Sequence, residues 1–363
     1  MSNFSNMAIA VLGGGNCAHS LSCYLTSLGC SVRLWARNLN HLSPCVRKEH
    51  HIEAYGKLSG VFNFYSVSNN LADTIRGCKM IFVATVTTAY EDVAAKLAPY
   101  LESGQTVVMF SSKLAGSVIF SKVLHDINPQ IADKVTVAET DALFASRLQS
   151  NATLWVRGIK RWNLVCTPRR RDLDKILPLM QEMFPGLLPA DNVIQRGLSD
   201  FGALAHPLTM IANMNRVDRA ESWLFYMEGF TPNTIALMEE MEKEFQAIAQ
   251  AYGTKLDPAV AWLNNYYGCD TSSLYNAMRS VPNYQTSKAP TTLDHRYVKE
   301  DVCCTLVPVH YLGILASVPT PLVDAVITIT QVLSHDNFYA KGRNLSRLGW
   351  DGLTCEQIKE RIS

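Results

Sequence analysis

Residues 7–18 read Met7-Ala8-Ile9-Ala10-Val11-Leu12-Gly13-Gly14-Gly15-Asn16-Cys17-Ala18. Ala8–Leu12 is a short apolar run of strand type. The residues after it fit G-x-G-x-x-A, with Gly13, Gly15 and Ala18 at the small positions. Each has its own physical reason. Gly13 can turn tightly off a strand, Gly15 has no Cβ to hold a pyrophosphate away from the backbone, and Ala18 lets the next helix sit close to the sheet. That helix is expected over about Asn16–Leu28. Its first amides and positive dipole end suit a phosphate. Gly29 stops it, and Ser31–Ala36 reads as a second strand. The stretch is therefore expected to bind a dinucleotide through Gly13, Gly15, Asn16 and Ala18.

Outward from there, β and α signals alternate. Met80–Thr85 and Gln105–Phe110 are continuous apolar runs, as strands buried on both faces should be. Tyr90–Leu101 has apolar residues at helical spacing, Leu114–Leu124 reads as a helix, and Lys134–Ala138 and Leu164–Cys166 as strands. Alternation of this kind implies a doubly wound, mostly parallel sheet, with ligands beyond the carboxyl ends of its strands. Thr85–Thr88, Ser111–Lys113 and Glu139–Asp141 fall there, Thr140 among them as a substrate contact. An NAD site would usually place an acid at the end of the second strand. This chain has Arg33 and Arg37 instead, and Arg37 is expected to hold the extra phosphate of NADPH, with NADH possible.

The pattern changes near Pro168-Arg169-Arg170-Arg171, a basic triplet read as a solvated loop. Pro185, Gly186 and Pro189 read as a linker, dividing the chain into domains 1–188 and 189–363. From Asn192 helical spacing dominates. Leu198, Phe201, Leu204, Ala205, Leu208, Ile211 and Ala212 make one apolar face; Leu237, Met241, Phe245, Ile248 and Tyr252 make another. Thr320-Pro321 reads as an N-cap opening a helix over Pro321–Leu333.

The whole chain has 363 residues, 48% hydrophobic and 18% charged, with a net charge of +1. That suits two domains with their own cores and gives no general attraction to nucleic acid or membrane. No apolar run approaches the roughly 20 residues of a membrane span, and Met1–Asn6 carries no basic start of a secretory signal. The ten cysteines have no C-x-x-C spacing. They read as reduced thiols of a cytoplasmic protein, with no metal site.

Two polar features interrupt the second half. Ala205-His206-Pro207 sits within an apolar face, where a histidine is more often packed than catalytic. Asp294-His295-Arg296-Tyr297-Val298-Lys299-Glu300-Asp301 leads into the apolar run Val302–Ala316. Capping would explain Glu300 or Asp301 but not the Arg296-Tyr297 before them.

These residues resemble the opine dehydrogenase family, in particular its octopine synthases. The likeness runs over Pro290–Val302, Leu306-Val307-Pro308, Val332–Phe338 and Lys341-Gly342-Arg343-Asn344-Leu345-Ser346. It also takes in Glu139-Thr140, Arg147, Ala205-His206-Pro207 and the glycine turn, and so spans nearly the whole chain. Its HRY-x-x-ED and AHP motifs are far more specific than the glycines. The resemblance implies a reductive condensation: an amine and a 2-oxo acid such as pyruvate form an imine, and NAD(P)H reduces it. It implies that His206 is catalytic, that Asp301 pairs with it, and that Arg296 holds a substrate carboxylate. Octopine synthase-like chains carry Asn four residues before this histidine; here Gly202 stands there.

The chemistry asks for the same residue types. Imine formation and reduction move protons near neutral pH, where histidine serves. A buried aspartate would fix its tautomer, and arginine's planar fork suits a carboxylate. The expected fold is α/β, an N-terminal Rossmann-type doubly wound parallel sheet followed by an all-helical C-terminal domain. The expected partners are small molecules, an amino acid and a 2-oxo acid, with no nucleic acid or membrane and a possible homo-oligomer. The alternative is a reductase of the glycerol-3-phosphate dehydrogenase or ketopantoate reductase kind, which would use a lysine at the chemistry. A cofactor-binding sensor without turnover is a third reading, against which the three polar residues stand.

Overall fold

The structure, a computed structural model, describes residues 4–363. The reading of Met1–Asn6 lies outside the described residues for Met1–Asn3. The chain divides into two compact units: residues up to Ser112 with Gly116–Pro189, and Lys113–Ala115 with Ala190–Ser363.

Among the described residues the first unit has twelve strands: β1 (Ala8–Leu12), β2 (Ser31–Trp35), β3 (His51–Gly56), β4 (Gly60–Asn63), β5 (Ser66–Ser68), β6 (Met80–Val83), β7 (Thr106–Phe110), β8 (Thr136–Thr140), β9 (Phe144–Leu148), β10 (Leu154–Ile159), β11 (Asn163–Cys166) and β12 (Leu187–Pro189). Eight of them form one sheet in the order β12-β11-β8-β7-β6-β1-β2-β5. Every pairing in it is parallel except β11 with β8. Successive strands run outward from β1 in both directions, so the order reverses between β1 and β6. That is where open α/β sheets leave a crevice for a ligand. The central strands are apolar throughout because both faces are covered; Met80–Val83 and Val107–Phe110 are fully buried. Phe82, Phe110, Phe144 and Phe184 pack ring against ring on one face, with centroids 5.9–6.1 Å apart.

A second sheet, β4-β3-β10-β9, was not legible in the sequence. Its strands are short and half exposed; β10 alternates buried and part-exposed positions. It is tied to the glycine turn, since Leu148 N–H donates to Asn16 Oδ1 at 2.8 Å. Pro185–Pro189 is not a linker. A Cβ on Gly186 would lie 2.1 Å from the Arg161 carbonyl oxygen, and Leu187–Pro189 is the edge strand β12, where proline is tolerated. The helix expected from Leu114 starts at Gly116. The residues before it bend through left-handed backbone at Ser111 (φ 84°) and Ala115 (φ 54°).

The second unit is helical. Its named helices include Val193–Leu198, Phe201–Ala212, Pro232–Ala251, Arg296–Asp301, Val307–Ala316 and Pro321–Ser334. The expected Leu198–Ala212 face is two helices, broken at Ser199-Asp200; Asp200 Oδ1 caps the second by accepting from Gly202 N–H at 3.0 Å. Thr320 does not cap the Pro321 helix with its side chain. Glu244 does so from a neighbouring helix, its carboxylate accepting from Leu322 N–H (2.7 Å) and Val323 N–H (3.0 Å). The expected single helix Val302–Ala316 begins as a π-helix, Val302–Leu306.

Candidate active site

The glycine turn has the geometry a dinucleotide needs. Gly13 sits at φ +148°, and a Cβ there would lie 2.5 Å from the Ala84 carbonyl oxygen, so only glycine fits. A Cβ on Gly15 would meet nothing within 4 Å, so the backbone can be approached there. The helix α1 (Asn16–Ser27) opens at Gly15 with no side-chain cap and no acid in its first turn. Its amides and dipole therefore suit an anion. Ala18 is buried against the sheet. Asn16 can contribute its backbone, its side-chain carbonyl being held by Leu148. Arg33 and Arg37 separate cleanly. Arg33 donates to the Asp73 and Arg76 carbonyls, whereas Arg37 is exposed just beyond β2.

Thr140 is fully buried and its Oγ1 donates to the Leu164 carbonyl at 2.9 Å, which braces β8. The basic triplet forms part of a short 3-10 turn, Arg170–Lys175, with Arg170 paired to Asp174.

His206 and Asp301, 95 residues apart, meet in the second unit: His206 Nδ1 lies 2.8 Å from Asp301 Oδ2. The Arg296–Asp301 helix lies along the Phe201–Ala212 helix and presents Asp301 from its last turn, just before the π-helix. π-helical turns recur at functional sites. Asp301 is 2% exposed. Burial pushes its carboxyl up, but the ammonium of Lys113 and the imidazole more than reverse this and hold it at about 2. An ionised Asp301 takes the Nδ1 proton as an acceptor, which leaves the lone pair of a neutral imidazole on Nε2. Tyr226 Oη lies 3.3 Å from that nitrogen. Burial raises the Tyr226 phenol well above its ordinary value, so it stays a neutral hydroxyl.

The ring is fixed by its neighbours. Tyr297 stacks on it, with centroids 3.8 Å apart and planes 12° from parallel, and Phe225 meets it edge-on at 5.7 Å. Gly202 leaves room for it: a Cβ there would lie 3.0–3.1 Å from imidazole Cε1 and Nδ1. The absence of the family's asparagine is thus matched by a histidine ring seated close against the helix. His295 caps the Arg296 helix by accepting from Tyr297 N–H at 3.2 Å. Burial and then the Arg296 charge lower its pKa, in keeping with an unprotonated Nδ1. Arg296 is exposed, 3.7 Å from Glu300 and beside the Tyr297 ring.

Lys113 completes the group. Its Nζ donates to Asp200 Oδ2 at 2.6 Å and pairs with Asp301 Oδ1 at 2.5 Å. The sequence placed it only among the residues beyond β7, without a role. Its signal was position alone: a lysine after a buried strand, at the carboxyl end of the sheet.

Among the described residues, Cys45, Glu49 and His51 alone group as possible metal ligands, and they lie in the first unit rather than beside His206. No disulfide joins the ten cysteines. No helix among the described residues is long and apolar enough to cross a membrane.

Comparisons with known proteins agree with this fold. Residues 189–334 match the family model of the NAD/NADP octopine/nopaline dehydrogenase alpha-helical domain. Residues 8–138 match that of the NAD-dependent glycerol-3-phosphate dehydrogenase N-terminus. The chain is 28% identical over 355 residues to an opine dehydrogenase of Arthrobacter sp. (strain 1C), covering 97% of this chain and 98% of that one. It is 24% identical to protein ocs of Agrobacterium tumefaciens (strain Ach5), covering 98% and 99%. Octopine dehydrogenase solved with NADH and agmatine superposes with a TM-score of 0.76 at 19% identity, over 98% of both chains. Yersinopine dehydrogenase with NADP+ bound gives 0.70 at 14%, again over 98% of both. A ketopantoate reductase from Ralstonia eutropha JMP134 is more distant, at 0.58 over 90% of this chain. A helical domain matched by the octopine/nopaline dehydrogenase model, curated relatives aligned end to end and a shared fold lead to one conclusion: the chain is an NAD(P)-dependent oxidoreductase similar over its whole length to the opine dehydrogenases.

Proposed function

We propose that this chain joins the amine of an amino acid to the carbonyl carbon of a 2-oxo acid, pyruvate, giving an N-(1-carboxyethyl)-amino acid. The observation that carries the reading is the buried Asp301–His206 pair, its imidazole clamped with Nε2 as the proton-handling atom. The nicotinamide dinucleotide, when bound, supplies the hydride that reduces the imine carbon. Arg37, exposed just beyond β2, would hold the adenosine phosphate of NADPH, and the first amides of α1 would hold its pyrophosphate.

The rest follows from the residues. Carbinolamine formation and dehydration need a group that takes up a proton and gives it back. His206 Nε2 accepts one proton from the substrate ammonium, freeing the amine that attacks; a second proton passes from nitrogen to oxygen within the adduct to give the carbinolamine, and the imidazolium then delivers the first to the departing hydroxyl, which leaves as water. Asp301 holds Nδ1–H throughout and stabilises the imidazolium formed between the two steps. Lys113 keeps Asp301 ionised. Arg296, exposed at the start of its helix beside Tyr297, anchors a substrate carboxylate through its planar fork. A cytoplasmic setting fits the absence of disulfides among the ten cysteines.

The test is NADPH oxidation with pyruvate alone, an amino-acid panel alone, and both together, with the product identified by mass. The proposal requires oxidation only with both, and a product carrying both carbon skeletons. Oxidation with the oxo acid alone would point to a simple reductase.

A further inference from the structure

Lys341-Gly342-Arg343-Asn344 lies far from the reacting pair in sequence, and the reaction as described gives it no task. Arg343 is nevertheless among the largest fully buried side chains. Its backbone N–H donates to the Cys303 carbonyl at 2.8 Å, inside the π-helix that follows Asp301. Its guanidinium donates to the Leu114 carbonyl at 2.7 Å, one residue past Lys113. A single residue therefore bonds both the segment that carries Asp301 and the segment that carries Lys113. Gly342 permits the approach, since a Cβ there would lie 2.9 Å from the Cys303 oxygen. A second buried cation grips the same strap: Arg196 donates to the Lys113 carbonyl at 2.8 Å. Beside it, a Cβ on Gly197 would lie 2.6 Å from Leu114 Cα.

The geometry points to Arg343 as a positioning residue that sets the Lys113–Asp301 contact, and through it the orientation of His206. The strap needs such a hold. Lys113–Ala115 is three residues long, ends in left-handed backbone at Ala115, and belongs to no helix or strand. A charge-assisted bond to a backbone carbonyl in a dry interior is directional and strong. A displacement of about 1 Å at a reacting group can reduce turnover about 10²-fold. The inference rests on the proposed roles of His206 and Asp301, and the test separates the two.

The experiment compares the parent enzyme with Arg343→Met, Arg343→Lys and Gly197→Ala, using His206→Ala as the reference. Each variant is first checked for a cooperative thermal transition. Arg343→Met should lower kcat about 10²-fold, leave NADPH affinity near the parent's, and speed acetylation of Lys113 by acetic anhydride, read by mass spectrometry. Arg343→Lys, which keeps a cationic donor, should recover part of kcat and slow the labelling. Gly197→Ala pushes on the strap without removing a charge and should reproduce both effects; it decides the matter if Arg343→Met does not fold. Unchanged kcat, or lost kcat with Lys113 labelled at the parent rate, overturns the inference. If His206→Ala turns over like the parent, the proposed roles fail instead, whatever the labelling shows.

Discussion

Lys113 and Asp301 form an ion pair at 2.5 Å, both largely withdrawn from water, with the other Asp301 oxygen bonded to His206. Asp200 takes a second bond from the same ammonium. The arrangement is one cation shared by two carboxylates, only one of which faces the imidazole. Removing one partner of such a group leaves a buried charge uncompensated, which costs about 3–5 kcal/mol.

The first prediction concerns pH. Asp301 is held at about 2, below the roughly 3.9 of an unfolded aspartate. Its paired, ionised form therefore contributes stability that is fully present above about pH 4 and is lost as pH falls through about 2. Lys113→Met removes the main influence holding the carboxyl down. In thermal unfolding across pH 3–8, the variant should lose stability at a higher pH than the parent. Coincident profiles would show that Lys113 does not set the Asp301 charge.

Much of this site could be read from the sequence, and the limits have physical causes. His206 stood out because it interrupts an apolar helical face, Arg296 and Asp301 because they lie in a dense polar stretch just before an apolar run, and the resemblance implied their roles. The parallel sheet was legible because strands buried on both faces are continuously apolar. The four-stranded second sheet escaped because its strands are short and exposed on one side. Lys113 acquires its meaning only from two aspartates brought to it by the fold, and sequence spacing does not encode that meeting. Thr320 failed as a cap because Glu244, 76 positions before it, already occupies those amides.

Ring placement gives a second prediction. The Tyr297 face stacked on the imidazole is kept in Tyr297→Phe and lost in Tyr297→Leu, and aromatic pairs contribute about 0.5–1.5 kcal/mol beyond area. The Phe variant should turn over near the parent rate, and the Leu variant roughly 10-fold slower at similar stability. Equal rates for both would show that stacking does not orient the ring.

Gly202→Ala addresses the same ring from the other side. The added methyl would stand 3.0 Å from imidazole Cε1 and 3.1 Å from Nδ1, the atom bonded to Asp301, so the ring must give by a few tenths of an ångström. Lower kcat with an unchanged unfolding midpoint is expected. A parent-like kcat would show that the pocket accommodates the methyl without moving His206.

Cofactor choice is tested at Arg37. Arg37→Asp replaces the exposed cation beyond β2 with the acid that usually bonds a ribose hydroxyl. The ratio of kcat/KM with NADPH to that with NADH should fall by at least about tenfold, one such contact amounting to roughly 1.4 kcal/mol. A ratio that does not move would place the 2′-phosphate elsewhere.

The most direct measurement is the turnover of His206→Ala in the presence of NADPH, pyruvate and the best amino acid, with the variant shown to be folded and to bind NADPH. A loss of about 2–4 powers of ten is expected of a group that transfers protons in the slow step. Turnover equal to that of the parent would mean that the imidazole held between Asp301 and Tyr297 is not where the chemistry happens.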